Sequence, residues 1–199
     1  MLITSAEFVT SAALPGQWPP PELPEFAFAG RSNVGKSSLL NTLMNRRRLA
    51  LTSATPGKTR LLNFFRVNRR YLLVDLPGYG YARVSESERR SWRPMVEGYL
   101  AGRRTLRAVA VLIDIRRTPG PEEDLLLHWL ARRGLPALVV ATKADKVSRS
   151  SQATRRALIA ESLGLSPEAV ILFSAKTRLG RQELWNALAG YAAPEDERA

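Results

Sequence analysis

Short apolar runs alternate with longer amphipathic stretches along most of the chain. The runs predict six strands, at residues 26–29, 61–67, 71–74, 108–113, 137–141 and 170–173. The amphipathic stretches predict five helices, near residues 36–47, 86–101, 121–133, 150–163 and 180–191. This alternation predicts an α/β three-layer sandwich with a mostly parallel sheet. The second and third runs are separated by too few residues for a crossover, so we expect them to form an antiparallel pair at the sheet edge.

One domain accounts for most of the sequence. The segment 1–23 ends in a proline-rich stretch, which excludes regular structure there and predicts an N-terminal arm. We expect a single domain over residues 24–192 and a short C-terminal tail over 193–199.

A phosphate-binding motif follows the first predicted strand and opens the first predicted helix. It fits the pattern G-x-x-x-x-G-K-[ST], whose glycines let backbone N–H groups converge on phosphates. Lys36 is expected to reach the β- and γ-phosphate oxygens, and Ser37 to ligate Mg²⁺. The motif consists of Gly30, Arg31, Ser32, Asn33, Val34, Gly35, Lys36 and Ser37.

An acidic motif, Asp75, Leu76, Pro77 and Gly78, comes directly after the run 71–74. Its carboxylate at a strand end suits the Mg²⁺ shell, directly or through water, and the Gly78 N–H can turn toward a γ-phosphate. Alone, the pattern D-x-x-G is more often a turn, so its weight comes from lying 39 residues after Lys36.

Two further strand ends carry residues that suit guanine. Asp145 can accept hydrogen bonds from N1–H and N2–H of guanine, a pair of donors that adenine lacks. The stem of Lys143 can lie along the purine, and the Ala175 N–H can support guanine O6. These segments are Thr142, Lys143, Ala144 and Asp145, and then Ser174, Ala175 and Lys176. The four motifs in this order predict a GTP and GDP site.

Composition and charge narrow the class of protein. Of 199 residues, 45% are hydrophobic and 24% charged, which is typical of a globular protein. No apolar run approaches the roughly 18 residues of a membrane span, no signal core opens the chain and cysteine is absent. We expect a cytoplasmic monomer without a membrane span.

The formal net charge of +12 favours a polyanionic partner, either RNA or an anionic membrane. The alternative is that the excess serves solubility or reflects an arginine-rich proteome, since 25 of the 30 basic residues are arginine. The lysines follow chemistry instead, because four of the five fall inside the nucleotide motifs.

The motifs as a set resemble those of a known group of GTPases. GRSNVGKSSLLN, TPGKTR, DLPG, TKAD and SAK are similar to the G1 to G5 motifs of the Era, EngA and TrmE group. DLPGYGYARV, followed by Trp92, Met95 and Tyr99 in a chain with one G domain, resembles the EngB family, also called YsxC or YihA. The match covers about residues 24–190 and lacks the additional domains of the other three families.

This resemblance implies a P-loop NTPase fold and a bacterial GTPase of large-ribosomal-subunit assembly, with rRNA as partner and a link to septation and cell division. It also implies that Thr59 ligates Mg²⁺ in the GTP state, with Gly57, Lys58, Thr59, Arg60 and Leu61 near the nucleotide. A surface loop describes the same residues equally well in the GDP state.

Hydrolysis is expected to be slow, because Tyr79 occupies the place of a water-positioning Gln. Asn33 matches the residue that coordinates K⁺ in TrmE-type proteins. Our hypothesis is that Asn33 helps to bind K⁺, and the alternative is that it is an ordinary turn residue. The ribosomal surface could complete the site instead. Two rival functions also stay open: an RNA-binding assembly module for which GTP is only a conformational ligand, and a division-site structural partner.

Overall fold

The computed structural model describes residues 1–50, 61–78 and 86–192. These residues contain seven strands and five α-helices. In chain order they are β1 (Ala6–Ala12), β2 (Glu25–Gly30), α1 (Lys36–Leu43), β3 (Leu62–Val67), β4 (Tyr71–Asp75), α2 (Glu86–Gly102), β5 (Leu106–Asp114), α3 (Pro121–Ala131), β6 (Ala137–Thr142), α4 (Arg149–Ser162), β7 (Val170–Leu172) and α5 (Arg181–Gly190).

The strands form one sheet in the order β1-β3-β4-β2-β5-β6-β7. From β4 to β7 neighbouring strands are parallel, whereas β1 with β3 and β3 with β4 are antiparallel. The predicted α/β class with five helices is confirmed, and so is the antiparallel pairing of the second and third apolar runs.

Two predictions were wrong because of one strand: the sheet has seven strands, not six, and the N-terminal segment contains regular structure. β1 lies within the predicted arm, pairs with β3 and takes the sheet edge, so β3 and β4 are not the edge pair. Only Ala12 of β1 is buried, Phe8 is exposed, and an ion pair of 2.8 Å joins Glu7 to Arg66 of β3. An edge strand that is only partly covered does not need an apolar run, which is why the pattern missed it. The domain boundary at residue 24 stays a prediction.

Side chains of β2 show how the sheet is buried on both faces. Phe26 and Phe28 point into the core beneath α1 and α5, which includes the buried Trp185. Ala27 and Ala29 point to the opposite face, where Tyr99 of α2 packs. This alternation follows from the two-residue period of a strand, and burial of both faces is typical of parallel sheets.

The carboxyl ends of the parallel strands meet at one edge of the sheet. Phe28 pairs with Asp75, and Asp114 pairs with Thr142, so the residues that follow β2, β4, β5 and β6 are neighbours. Across the described part of the chain, no helix combines the length and the apolar character needed to cross a membrane.

Candidate nucleotide-binding site

The phosphate-binding motif forms the turn between β2 and α1. A Cβ added at Gly30 would lie 2.9 Å from Val34 Cγ1 and 3.0 Å from Leu112 Cβ, so only glycine fits at this strand end. Asn33 and Gly35 have φ angles of 62° and 104°, and Gly35 is the N-cap of α1. The turn therefore leads directly into a helix N-terminus, where free N–H groups and the helix dipole favour an anion.

Lys36 and Asp75 are in contact at the centre of this edge. The Lys36 ammonium donates a hydrogen bond to the Asp75 carboxylate, and both side chains are less than a tenth exposed. β4 delivers Asp75, because Asp75 is its last residue and is in register with Phe28. The predicted phosphate-binding cation and the predicted acid of the Mg²⁺ shell thus meet at one place, with Ser37 in the first turn of α1.

The acidic motif packs against the phosphate-binding turn. The Leu76 N–H donates to Phe28 O at 3.1 Å, which extends β4 alongside β2. A Cβ added at Gly78 would lie 3.0 Å from Ser32 Oγ and 3.3 Å from Ser32 Cα. Leu76 and Pro77 are buried, so the motif leaves the sheet directly over the turn.

Thr142 and Lys143 tie the third motif to the same turn. Thr142 Oγ1 donates to Val34 O at 2.6 Å, and Lys143 Nζ donates to Asn33 O at 2.6 Å. Lys143 has a φ of 59°, and its Cε lies 3.6 Å from the Cβ position of Gly35. Its aliphatic stem therefore crosses over the phosphate-binding turn.

Asp145 and the fourth motif form the far side of the site. Ser174 Oγ donates to Asp145 Oδ1 at 2.6 Å and accepts from the Thr177 N–H at 3.2 Å. The Ala144 N–H donates to Phe173 O at 3.0 Å, which joins the two loops through their backbones. Ala175 is half-buried and Lys176 is exposed. Asp145 is thereby held with one carboxylate oxygen already engaged.

Asp114, the last residue of β5, is a site residue that sequence reasoning missed. Its carboxylate accepts two hydrogen bonds from the Arg116 guanidinium, at 2.9 and 2.7 Å, and lies 2.9 Å from Lys143 Nζ. Burial raises the pKa of Asp114, but the hydrogen bonds from Arg116 and Lys143 outweigh it and hold the pKa well below its usual range. The strand-end position that singled out Asp75 could have found this residue too.

A cavity of about 260 Å³ opens beside the phosphate-binding turn, between residues 31–34 and the β5–α3 connection. Its lining includes Lys143, Asp114 and Arg31, and Arg31 lies 3.3 Å from Glu122 of α3. It belongs to the same site.

Several predicted residues lie outside the described part of the chain. These are Gly57, Lys58, Thr59 and Arg60, the Tyr79 position, and the side chains of residues 86–93. Leu61 is described, is exposed and immediately precedes β3. The roles assigned to these residues stay predictions.

The chain is similar in sequence to known GTP-binding proteins. A family model described as "50S ribosome-binding GTPase" matches residues 25–143. The chain is 56% identical over 183 residues to the probable GTP-binding protein EngB of Geobacter sulfurreducens, covering 92% of this chain and 89% of that protein. It is 51% identical to the protein of the same description from Geobacter metallireducens, covering 100% of this chain and 98% of that protein.

Solved structures share the fold. A crystal structure of a probable GTP-binding protein engB superposes with a TM-score of 0.70 at 22% identity, covering 84% of this chain and 98% of that one. Era in complex with MgGDPNP and part of 16S ribosomal RNA superposes with a TM-score of 0.66 at 21% identity, over 86% of this chain and 57% of Era. The matches in sequence extend over both the phosphate-binding turn and the strand-end motifs, and the chain belongs to the EngB family of P-loop GTP-binding proteins.

Proposed function

We propose that this protein binds GTP and GDP with Mg²⁺, hydrolyses GTP slowly and acts as a nucleotide-gated switch in assembly of the large ribosomal subunit. The proposal that it binds a guanine nucleotide rests on one observation: the loop after β6 is bonded both to the phosphate-binding turn and to the loop after β7. Lys143 and Thr142 bond to the backbone of the phosphate-binding turn while Ser174 holds Asp145. A nucleotide that fits both loops therefore meets a preformed site and loses little affinity to loop ordering.

The residues present suit Mg²⁺. Ser37 offers a hydroxyl and Asp75 a carboxylate, and oxygen ligands of this kind are the ones that Mg²⁺ prefers. The Asp75 carboxylate is paired with the Lys36 ammonium in the structure. When phosphates compete for Lys36, that carboxylate becomes available to Mg²⁺ or to its bound water, and Thr59 is the proposed third protein ligand. The ion would neutralise charge on the phosphates.

Base selectivity tests the assignment of Asp145. Xanthine carries a carbonyl oxygen where guanine carries its 2-amino group. The side chain at position 145 must therefore donate a hydrogen bond to xanthine where it accepts one from guanine. The variant Asp145→Asn should therefore lose GDP affinity by tenfold or more and gain affinity for xanthosine diphosphate, since each mismatched buried polar group costs about 1–3 kcal/mol. Titration calorimetry with GDP, ADP and xanthosine diphosphate measures this.

Asp124→Asn on the exposed face of α3 removes the same charge from a residue that does not line the cavity, and is the matched control. It should bind GDP like the wild type. Equal GDP affinities for Asp145→Asn and Asp124→Asn would remove Asp145 from base recognition.

The ribosomal role rests on the family description and on the net charge of +12. Large subunits should be retained by the protein with a non-hydrolysable GTP analogue more than with GDP or without nucleotide, at low and moderate salt. Equal retention in all three states would indicate that the protein binds large subunits through charge attraction alone, without control by the nucleotide.

An RNA-binding module for which GTP is only a conformational ligand is the second candidate, and Tyr79 in the place of the water-positioning Gln favours it. Hydrolysis stimulated by large subunits would favour the switch over this module. Turnover in KCl and NaCl at equal ionic strength tests the K⁺ hypothesis at Asn33, since equal rates would remove it.

A further inference from the structure

Six arginines lie where the parallel strands begin, at the opposite end of these strands from the nucleotide site. We call this set the basic rim. Two lie in the β3–β4 turn, one in the α2–β5 connection, one near the start of β5 and two in the α3–β6 connection. They are Arg69, Arg70, Arg104, Arg107, Arg132 and Arg133.

Strand register places these connections side by side. Glu25 at the start of β2 pairs with Leu72 of β4 and Leu106 of β5, and the Val109 N–H of β5 donates to Pro136 O just before β6. The starts of β4, β2, β5 and β6 therefore share one edge. With strands about 4.8 Å apart, these four starts span roughly 14 Å.

The charges of the basic rim have no ion-pair partner among the residues that the structure describes. In the described ranges, no carboxylate lies within ion-pair distance of any of the six, and all but Arg107 are exposed. Other arginines do find carboxylates: Arg103, beside the rim, is buried against Glu25 at 2.5 Å. Six like charges in so small an area repel one another, and an approaching polyanion relieves that repulsion.

Two of the guanidinium groups are oriented by their neighbours. Arg133 stacks over the ring of Trp129, with its guanidinium carbon 4.3 Å from the ring centroid. Arg107 Nη1 donates to Arg104 O at 3.2 Å. Guanidinium groups bind phosphate in bidentate fashion, and an oriented group loses less freedom on binding.

The chemistry of the rim favours RNA over a membrane. None of the exposed large hydrophobic side chains in the described residues falls in the three connections that carry the rim. A membrane-binding surface combines basic charge with apolar side chains that enter the bilayer. A surface of arginines without such side chains fits the phosphate backbone of a nucleic acid, which needs charge and hydrogen-bond donors only.

We propose that the basic rim binds the phosphate backbone of RNA. This deepens the proposed ribosomal function by naming its RNA-binding surface, and it rests on that function only for the biological source of the RNA. The strands between the rim and the nucleotide edge have five to nine residues, so the two lie roughly 15–25 Å apart. RNA on the rim leaves the nucleotide site open.

The test compares two triple variants of equal charge. Arg70, Arg104 and Arg133 become Gln in the rim variant, and Arg47, Arg149 and Arg178 become Gln in the control, all six being exposed. A 24-base-pair RNA duplex is titrated by fluorescence anisotropy from 50 to 300 mM KCl. The rim variant should bind about tenfold or more weakly at 100 mM, with a salt slope shallower by about three, while the control stays within about threefold of wild type.

A third variant with Lys at the three rim positions keeps the charge and should retain the salt slope, which separates phosphate binding from loss of folding. Equal weakening by the rim and control variants would reduce the effect to net charge and overturn the proposal. So would retention of the rim variant's RNA affinity together with loss of binding to phosphatidylglycerol vesicles, which would assign the rim to a membrane. GDP affinity should be the same in all variants, so a failure of nucleotide gating on ribosomal subunits leaves this result standing.

Discussion

Glu25, the first residue of β2, is fully buried and forms an ionic cluster that joins three segments of the chain. Its Oε1 accepts hydrogen bonds of 2.7 Å from Arg103 Nε and Thr105 Oγ1, and its Oε2 accepts one of 2.7 Å from the Tyr99 hydroxyl. Arg103 also donates to Pro19 O at 2.7 Å, which ties the proline-rich segment to the end of α2. Burial and the Glu25 charge raise the pKa of Tyr99 well above its usual value, so the hydroxyl stays a donor.

We predict that Glu25→Gln destabilises the protein by about 3–5 kcal/mol, because it leaves the Arg103 guanidinium buried without an opposing charge. The side chain of Arg103 is only 6% exposed, so water cannot replace the carboxylate. For a domain of this size the loss corresponds to a fall in Tm of about 6–20 °C. Urea denaturation and thermal unfolding followed by circular dichroism measure both quantities.

The matched control is Glu7→Gln. Glu7 pairs with Arg66 at a similar distance of 2.8 Å, but the two side chains are 56% and 46% exposed, so this change should cost only about 0–1 kcal/mol. Adding Arg103→Met to Glu25→Gln removes the unpaired cation and should recover part of the loss. If Glu25→Gln cost no more than Glu7→Gln, the buried carboxylate would not be what stabilises Arg103, and the reasoning would fail.

Two further predictions concern the loops of the site. Gly180→Ala should cost at least about 2 kcal/mol more than Gly134→Ala in urea denaturation: both glycines have positive φ, but a Cβ at Gly180 would lie 1.9 Å from Leu172 O, whereas one at Gly134 meets nothing within 4 Å. Equal losses of unfolding free energy in the two variants would contradict this prediction, because they would mean that β7 shifts to accommodate the Cβ at no cost. Asp114→Asn should lower the unfolding free energy by a constant amount from pH 6 to 8, and this difference should shrink below about pH 4. The reason is that the pKa of Asp114 is lowered in the folded state, so the charged carboxylate stabilises the protein at pH values above the unfolded pKa. This stabilisation is lost as the pH falls toward the folded pKa. A difference that grows on acidification would contradict this.

The sequence alone determined the class of fold and the order of the site motifs. Apolar runs that are buried on both faces, such as residues 108–113, are long enough to identify strands without tertiary information. Gly30, Gly35 and Lys36 were recognisable because phosphate binding restricts residue type at each position. Motifs placed at strand ends predict one shared site, because the carboxyl ends of parallel strands meet at one edge of the sheet.

Only the tertiary structure decided the contacts between distant residues. β1 became a strand because β3 offered an unpaired edge, although only one of its own residues is buried. Asp114 joined the site through Lys143, 29 residues later, since β5 and β6 end in register. Arginine doublets occur throughout the chain, and the sequence could not tell which of them lie together. The register of β4, β2, β5 and β6 places some of them in one basic rim, because sheet hydrogen bonding aligns connections that are far apart in sequence.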